Sequence, residues 1–356
     1  MIKTFKFKDR IEKSVMTYAV VTAAFILLFV MNMAGALSSK ISGMLVPICV
    51  YVVMALSLNL TVGIMGELSL GHAGFMAVGA FTGTSVTMML SDAIPNGTLR
   101  LVIGMAVGAL FGALIGFLIG IPVLRLKGDY LAIVTLAFGE IIKSFFSNIY
   151  LGTEGGKLRF SVLQNNLNLS EAIGKIIIEG AMGIRSIPKI STFLVGYILI
   201  MICLVVIFHM IKSRTGRAIM ACRDNRIAAE SVGIPVFRYK IIGFTISAAM
   251  AGAAGALFGN NYSSLVASKF NIDTSILILV FVVLGGQGNM LGSIIAAAAL
   301  TVLPEALRSF ADYRMLAYAI ILILVMLATN NPRFRYFFQK LFGKLKKSGK
   351  EAGNEQ

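Results

Sequence analysis

SRTGRAIMACRDNRIAAESVGIPVFRY, residues 213–239, is a polar, basic stretch between long apolar segments. With its flanking residues it carries Lys212, Arg214, Arg217, Arg223, Arg226, Arg238 and Lys240. Between membrane spans, such a charge bias marks a cytoplasmic connection. Its middle predicts a short helix over 224–233. Asp224 accepts from the free amides of the first turn, 227–232 follow, and Gly233 and then Pro235 stop the helix. A small-residue helix held at the membrane surface is suited to docking into a partner's groove.

Composition fixes the class. Of the 356 residues 57% are hydrophobic and 13% charged, and mean hydropathy is +0.86. Soluble domains carry about 25% charged residues and few apolar runs of the ~20 residues that cross a bilayer. The chain is therefore an integral membrane protein with the lipid bilayer as its solvent. A net charge of +16 would point to nucleic acid in a soluble protein. Here most basic residues gather in the N-terminal arm, at Arg125 and Lys127, in the 212–240 segment and in the tail after Arg333. That is the pattern of cytoplasmic loops, so no nucleic-acid partner is expected. Cys49, Cys203 and Cys222 are scattered, and no disulfide framework or metal site is indicated.

The expected fold is all-α and polytopic, with 8–10 transmembrane helices. Apolar segments run near 15–37, 41–63, 67–90, 99–124, 129–150, 191–212, 238–260, 274–288, 289–308 and 314–331. The first is longer than a signal-peptide core and reads as an uncleaved span despite the Ala34-Gly-Ala36 sequence. Gly and Ser interrupt 63–74, and LGGQGNMLG at 284–292 leaves no room for an ordinary loop. Both places fit broken or re-entrant helices. The expected organisation is a basic cytoplasmic arm at 1–14, a transmembrane domain at 15–331 and a basic cytoplasmic tail at 332–356. Within the domain, 151–190 lies outside and 212–240 inside.

The fourth segment carries Gly104, Gly108, Gly112, Gly116 and Gly120 at four-residue spacing. Four residues advance about 400° around a helix, so these glycines form one slowly winding groove for close helix packing. Ala251, Gly255 and Gly259 make a shorter small-residue face on the seventh segment. No Gly-x4-Gly-Lys-Ser/Thr phosphate loop exists, since each Gly-Lys pair is followed by Leu, Ile or Glu, and no HExxH occurs. The chain should neither bind nor hydrolyse ATP. Polar candidates within the spans are Asn59, Ser69, His72, Thr82, Glu140, Lys143, Asn260 and Asn261, because polar and ionisable groups at membrane depth are functional candidates by default. Glu140 and Lys143, three apart on one helix face, are placed to neutralise each other.

Three blocks, LSLNLTVGIMGELSLGHAGFMAVGAFTG (56–83), LRLKGDYLAIVTLAFGEI (124–141) and RTGRAIMACRDNRIAAESVGIPVFRYKIIGFTISAAMAGAAGALF (214–258), resemble the permease subunit of branched-chain amino-acid ABC importers, of the LivM-like type. A fourth, VFVVLGGQGNMLGSIIAAAALTVLPEALR (280–308), continues the match in order. At 151–160 the chain has LGTEGGKLRF where that family carries a Thr-Gly-Gly segment.

The resemblance implies that 214–233 is a coupling segment, with Ala228, Ala229, Glu230 and Gly233 matching its Ala-Ala-Glu-x-x-Gly core. Small side chains at 228 and 229 would let the helix seat deeply, while Arg217, Arg223, Arg226 and Glu230 set register by charge and Asp224 caps the coupling helix. It also implies a sister permease, two ABC ATPase subunits that hold ATP and Mg, and an extracellular or periplasmic substrate-binding protein. No cofactor is expected on this chain and no enzymatic activity. For the solute pathway the candidates are Asn59, Ser69, His72 and Glu140. The alternatives are a secondary transporter or channel for a small polar solute, an importer of urea or short amides, and an intramembrane enzyme. The last lacks a nucleophile–base or metal constellation.

Overall fold

The computed structural model describes residues 7–35, 38–91, 93–126, 128–154, 157–162 and 174–307, with 319, 320 and 323 beyond them. The chain divides into two units, Met1–Ala298 and Ala299–Gln356. Of the second, the described residues complete the last helix to Ala306. All earlier elements lie in the first.

The helices are α1 (Phe7–Met33), α2 (Ser39–Asn59), α3 (His72–Met89), α4 (Gly97–Val123), α5 (Asp129–Ser147), α6 (Phe193–Lys212), α7 (Arg214–Asp224), α8 (Arg226–Ser231), α9 (Val236–Gly259), α10 (Ile272–Gly285) and α11 (Met290–Ala306). A π-helical turn, Leu60–Met65, continues α2. Among the described residues seven segments are long and apolar enough to cross a membrane: Ser14–Met33, Ile41–Met65, Gly97–Val123, Asp129–Ser147, Phe193–Lys212, Val236–Gly259 and Ala267–Gly285. The protein is an all-α, multi-pass membrane protein.

Two of the expected spans differ in kind. The segment expected at 67–90 becomes helical only at His72, and α3 is buried along nearly its whole length. Shielded from lipid by its neighbours, it needs no lipid-grade apolar surface and is rich in Gly, Ala and Thr. α11 is shorter than a full span, and the segment expected at 314–331 lies outside the described residues.

The bundle is organised on α9, against which α4, α3 and α2 pack. Small residues make this possible. A Cβ on Gly255 would meet the Met76 carbonyl of α3, and one on Gly252 would meet the Gly108 carbonyl of α4. Backbones that approach this closely gain dispersion contacts that larger side chains would prevent. α1 stands at the periphery on α6, joined by the stacked rings of Phe25 and Tyr197 at 3.9 Å and by Thr22 Oγ1 with the Tyr197 hydroxyl at 3.0 Å.

Between α5 and α6 the chain forms a small antiparallel sheet that apolar periodicity does not predict. Its strands are β1 (Ile149–Glu154), β2 (Lys157–Val162) and β3 (Gly174–Glu179), in the order β2-β1-β3. The backbone pair of Ile184 with Leu265, with N–H to O distances of 2.9 Å in both directions, ties this region to the loop after α9.

Candidate functional site

The first break follows α2. Its last turn widens to a π-helix over Leu60–Met65 and stops at Gly66, which takes φ +74 and bonds its N–H to the Thr61 carbonyl. Side chains of α2, α3 and α9 hold the break from within. Thr61 Oγ1 donates to Ser247 Oγ at 2.8 Å, and Ser247 Oγ donates to the Ser57 carbonyl at 2.6 Å. Ser57 Oγ donates to the Met54 carbonyl at 2.9 Å and lies 2.9 Å from His72 Nε2. With the one Ser57 hydrogen on Met54, the His72 tautomer that fits carries its proton on Nε2, leaving Nδ1 without a partner. Two amides at the start of α3 are met by neighbouring hydroxyls: Leu70 N–H donates to Thr135 Oγ1 at 3.0 Å and Ala73 N–H to Ser275 Oγ at 3.1 Å.

The second break is the turn at 286–289 between α10 and α11, and Asn59 clamps it to the first. The Asn59 Oδ1 accepts from Gly288 N–H at 2.8 Å. Its Nδ2 donates to Ser293 Oγ at 2.8 Å and to the Asn289 carbonyl at 3.2 Å. One fully buried amide thus uses both its polar atoms to join two interrupted helices, and it satisfies the Gly288 N–H that the second break leaves outside a helix.

A basic hairpin of α7 and α8 lies against the same region. The short helix expected over 224–233 is present as α8, with its cap one residue later than expected and a further helix, α7, before it. α7 runs to Asp224, and α8 starts at Arg226 after an Asn225 cap whose side chain accepts from Ala228 N–H at 3.0 Å. Asp224 does not cap, because it accepts two bonds from the Arg223 guanidinium at 2.8 and 3.0 Å. Gly233, at φ +81, closes α8. Its own N–H and that of Ile234 bond to the carbonyls of Glu230 and Ala229 at 3.0 Å each, a closure that favours glycine.

Arg223 reaches the π-helical turn, where its NH1 donates to the Gly63 carbonyl at 2.9 Å. Its stem crosses Gly66 so closely that a Cβ there would lie 2.6 Å from Arg223 Cγ. A second link is the ion pair of Lys240, in the first turns of α9, with Glu67 in the break; the side chains are 11% and 13% exposed. The hairpin therefore grips the first break through Arg223, α9 grips it through Lys240, and Asn59 joins that break to the second.

The two alanines differ. Ala229 is buried among Cys222, Val236 and Ile234, so it supports the hairpin from inside rather than lining its outer face; Ala228 is exposed. Two apolar residues that sequence reasoning did not single out are bare: Ile227 is 81% exposed and Val232 74%. Arg226 and Glu230 pair at 2.9 Å, one turn apart, and Arg217 NH1 donates to the Lys212 carbonyl at 2.9 Å. Burial pushes the Cys222 thiol up from its ordinary value.

Of the pathway candidates, Asn59, Ser69 and His72 are fully enclosed. Glu140 is separate from them and pairs with Lys143 at 2.5 Å on a partly exposed face of α5. Thr82 bonds back to the Val78 carbonyl at 2.7 Å, and Asn260 accepts from Thr87 at 2.7 Å near the other end of the bundle. The five α4 glycines are all buried on the side facing α9 and α3. A Cβ on Gly112 would lie 2.6 Å from the Ala248 carbonyl, and one on Gly104 would lie 2.9 Å from that of Gly83. Sequence reasoning missed Ser57, Glu67, Ser247 and Asn289, although Glu67 is legible as an acid inside an apolar block.

Residues 40–329 match the family described as branched-chain amino acid transport system / permease component. The chain is 36% identical over 292 residues to the high-affinity branched-chain amino acid transport system permease protein LivM of Salmonella typhimurium, covering 78% of this chain and 66% of the relative. It thus spans just under two thirds of that relative's length. It is 25% identical over 283 residues to LivH of Escherichia coli, named as a permease of the same kind of system, covering 78% of this chain and 88% of the relative. It is 23% identical over 248 residues to the nucleoside ABC transporter permease NupC of Lactococcus lactis, covering 65% of this chain and 70% of the relative. No solved structure matches the chain.

Proposed function

The chain belongs to the family of branched-chain amino acid transport system permease components, and from that membership we propose that it is the membrane-spanning permease subunit of an ATP-driven importer. Its cargo is a branched-chain amino acid, or a hydrophobic amino acid more broadly. A sister permease completes the pathway, two separate ATPase subunits bind ATP and Mg, and an extracellular or periplasmic binding protein delivers the solute. The chain lies in the cell membrane with both termini and 212–240 cytoplasmic and 151–190 outside.

The observation that carries this reading is the contact set running from the surface hairpin to two helix breaks. Interrupted helices that meet inside a bundle are a recurrent way to build a movable solute site. Ile227 and Val232 supply apolar anchors for an ATPase groove. Ala228 leaves room for close approach, and Arg217, Arg226 and Glu230 form a charged rim. Closure of the ATPases displaces α8, and Arg223 and Lys240 transmit that displacement to 60–71. The Asn59 clamp then exchanges between two arrangements, and ATP biases their populations. Opening either break presents the Asn59 amide and the unpaired His72 Nδ1 to a zwitterionic solute, whose ammonium needs acceptors and whose carboxylate needs donors.

The test is co-purification and transport. Tagged chain expressed with its native partners should carry a sister permease and ATPase subunits, and should drive leucine uptake into proteoliposomes only with hydrolysable ATP. Uptake that follows a proton or sodium gradient and survives loss of the ATPases would replace this reading with a secondary transporter.

A further inference from the structure

Beside the hairpin lies a cavity of about 380 Å³ bounded by α1, α6, α7, the π-helical turn, the turn before α11 and the start of α11. That volume falls within the roughly 300–1,000 Å³ typical of small-ligand sites. Among the residues whose side chains are described, its charged lining is cationic: Lys212 from α6 and Arg223 from α7. Among the residues whose side chains are described no carboxylate pairs with Lys212, whose Nζ lies 3.5 Å from Ser14 Oγ. Arg223 does have a carboxylate partner, but that partner, Asp224, is 67% exposed and outside the cavity lining. The hydroxyls of Ser14 and Thr17 line the α1 side, and Ile211 and Leu291 are among the apolar walls.

The level of the cavity in the membrane follows from its own residues. Ser14 begins the first membrane-crossing segment and Lys212 ends the fifth. Both therefore sit where a span leaves the hydrocarbon and lipid phosphates begin. We propose that this cavity binds the phosphodiester headgroup of an acidic phospholipid. Lys212 and Arg223 would meet the phosphate, the α1 hydroxyls its free oxygens, and the apolar walls the upper acyl chain. A free phosphate ion would use the cations and leave the apolar wall without a role. Basic pockets between spans at the interface are suited to this chemistry.

Native mass spectrometry of the purified full-length protein, titrated with phosphatidylglycerol or phosphatidylcholine, tests the proposal. Phosphatidylglycerol should bind in preference to phosphatidylcholine. Lys212→Gln should weaken it about fivefold, the effect of one interfacial cation, and Lys212→Arg should restore it. Arg214→Gln, exposed and outside the cavity, should leave binding unchanged, and millimolar inorganic phosphate should not displace the lipid. Thr17→Leu, which fills the cavity without altering charge, should also reduce binding and carries the test if Lys212→Gln does not fold. Wild-type binding by both cavity variants, equal loss in Arg214→Gln, or equal binding of phosphatidylcholine would overturn the proposal. Displacement by inorganic phosphate would overturn it in favour of a free anion.

Discussion

Asn59 is the residue on which most of the site's geometry converges, since one buried amide bonds to Gly288, Asn289 and Ser293. Replacing it by Leu strands the Gly288 N–H and removes the amide's bonds to the Asn289 carbonyl and Ser293 Oγ, the carbonyl keeping its bonds from Ser293. At about 0.5–1.5 kcal/mol per bond, with more for a buried group left unpaired, the loss should be about 2–4 kcal/mol. Thermal unfolding in detergent should register it as a lowered midpoint, and a midpoint equal to wild type would mean that the amide does not clamp the two breaks. Cys222 gives a test that depends on pH. Its thiol, 3% exposed, is pushed up by burial, so at a given pH less of it is thiolate than in a free cysteine with a pKa of about 8.5. In a Cys49→Ala, Cys203→Ala background, maleimide labelling of the folded protein should rise at higher pH than that of the denatured chain. Coincident pH profiles would contradict the packing of Cys222 against Ala229 and Val236.

At the scale of elements, the glycine groove of α4 is the most exacting contact. A side chain at Gly112 must displace the Ala248 carbonyl of α9, and backbone cannot yield as a flexible side chain does. Gly112→Leu should therefore cost at least the ~1–3 kcal/mol of ordinary overpacking and lower the yield of monodisperse protein. Leu110→Ile, on the face where Leu110 is 67% exposed, should be tolerated. Equal wild-type yields from both would argue against close packing. The periodicity of this groove was legible in the sequence because it is local: a four-residue spacing fixes one face of one helix. Its partner was not, since nothing local links Gly112 to Ala248. The hairpin shows the same limit. Asp224 and Asn225 are both good caps by residue type, and only the neighbouring Arg223 guanidinium, by occupying Asp224, leaves the cap to Asn225. Ala229 could not be told from Ala228 until Cys222 and Val236 gave α8 an inner side.

For the whole molecule, the membrane class followed from apolar runs of bilayer length, and the two breaks from Gly-rich interruptions at 63–74 and 284–292. That the breaks meet was not legible, because Asn59 and Gly288 are 229 residues apart. The burial of α3 was not legible either, because hydropathy measures fitness for lipid, whereas α3 is surrounded by protein. The strands between α5 and α6 pair non-locally and leave no apolar period. The proposed coupling of ATPase partners to the broken helices through the hairpin is tested by Ile227→Asp. Ile227 is 81% exposed, so the change should leave the fold and pairing with the sister permease intact while placing a charge on the docking face. ATP-driven leucine uptake should be measured in proteoliposomes holding the complete assembly, alongside ATPase retention on purification. The expected result is a normally inserted variant that loses at least tenfold in uptake and sheds its ATPases. Wild-type uptake with the ATPases fully bound would contradict that coupling.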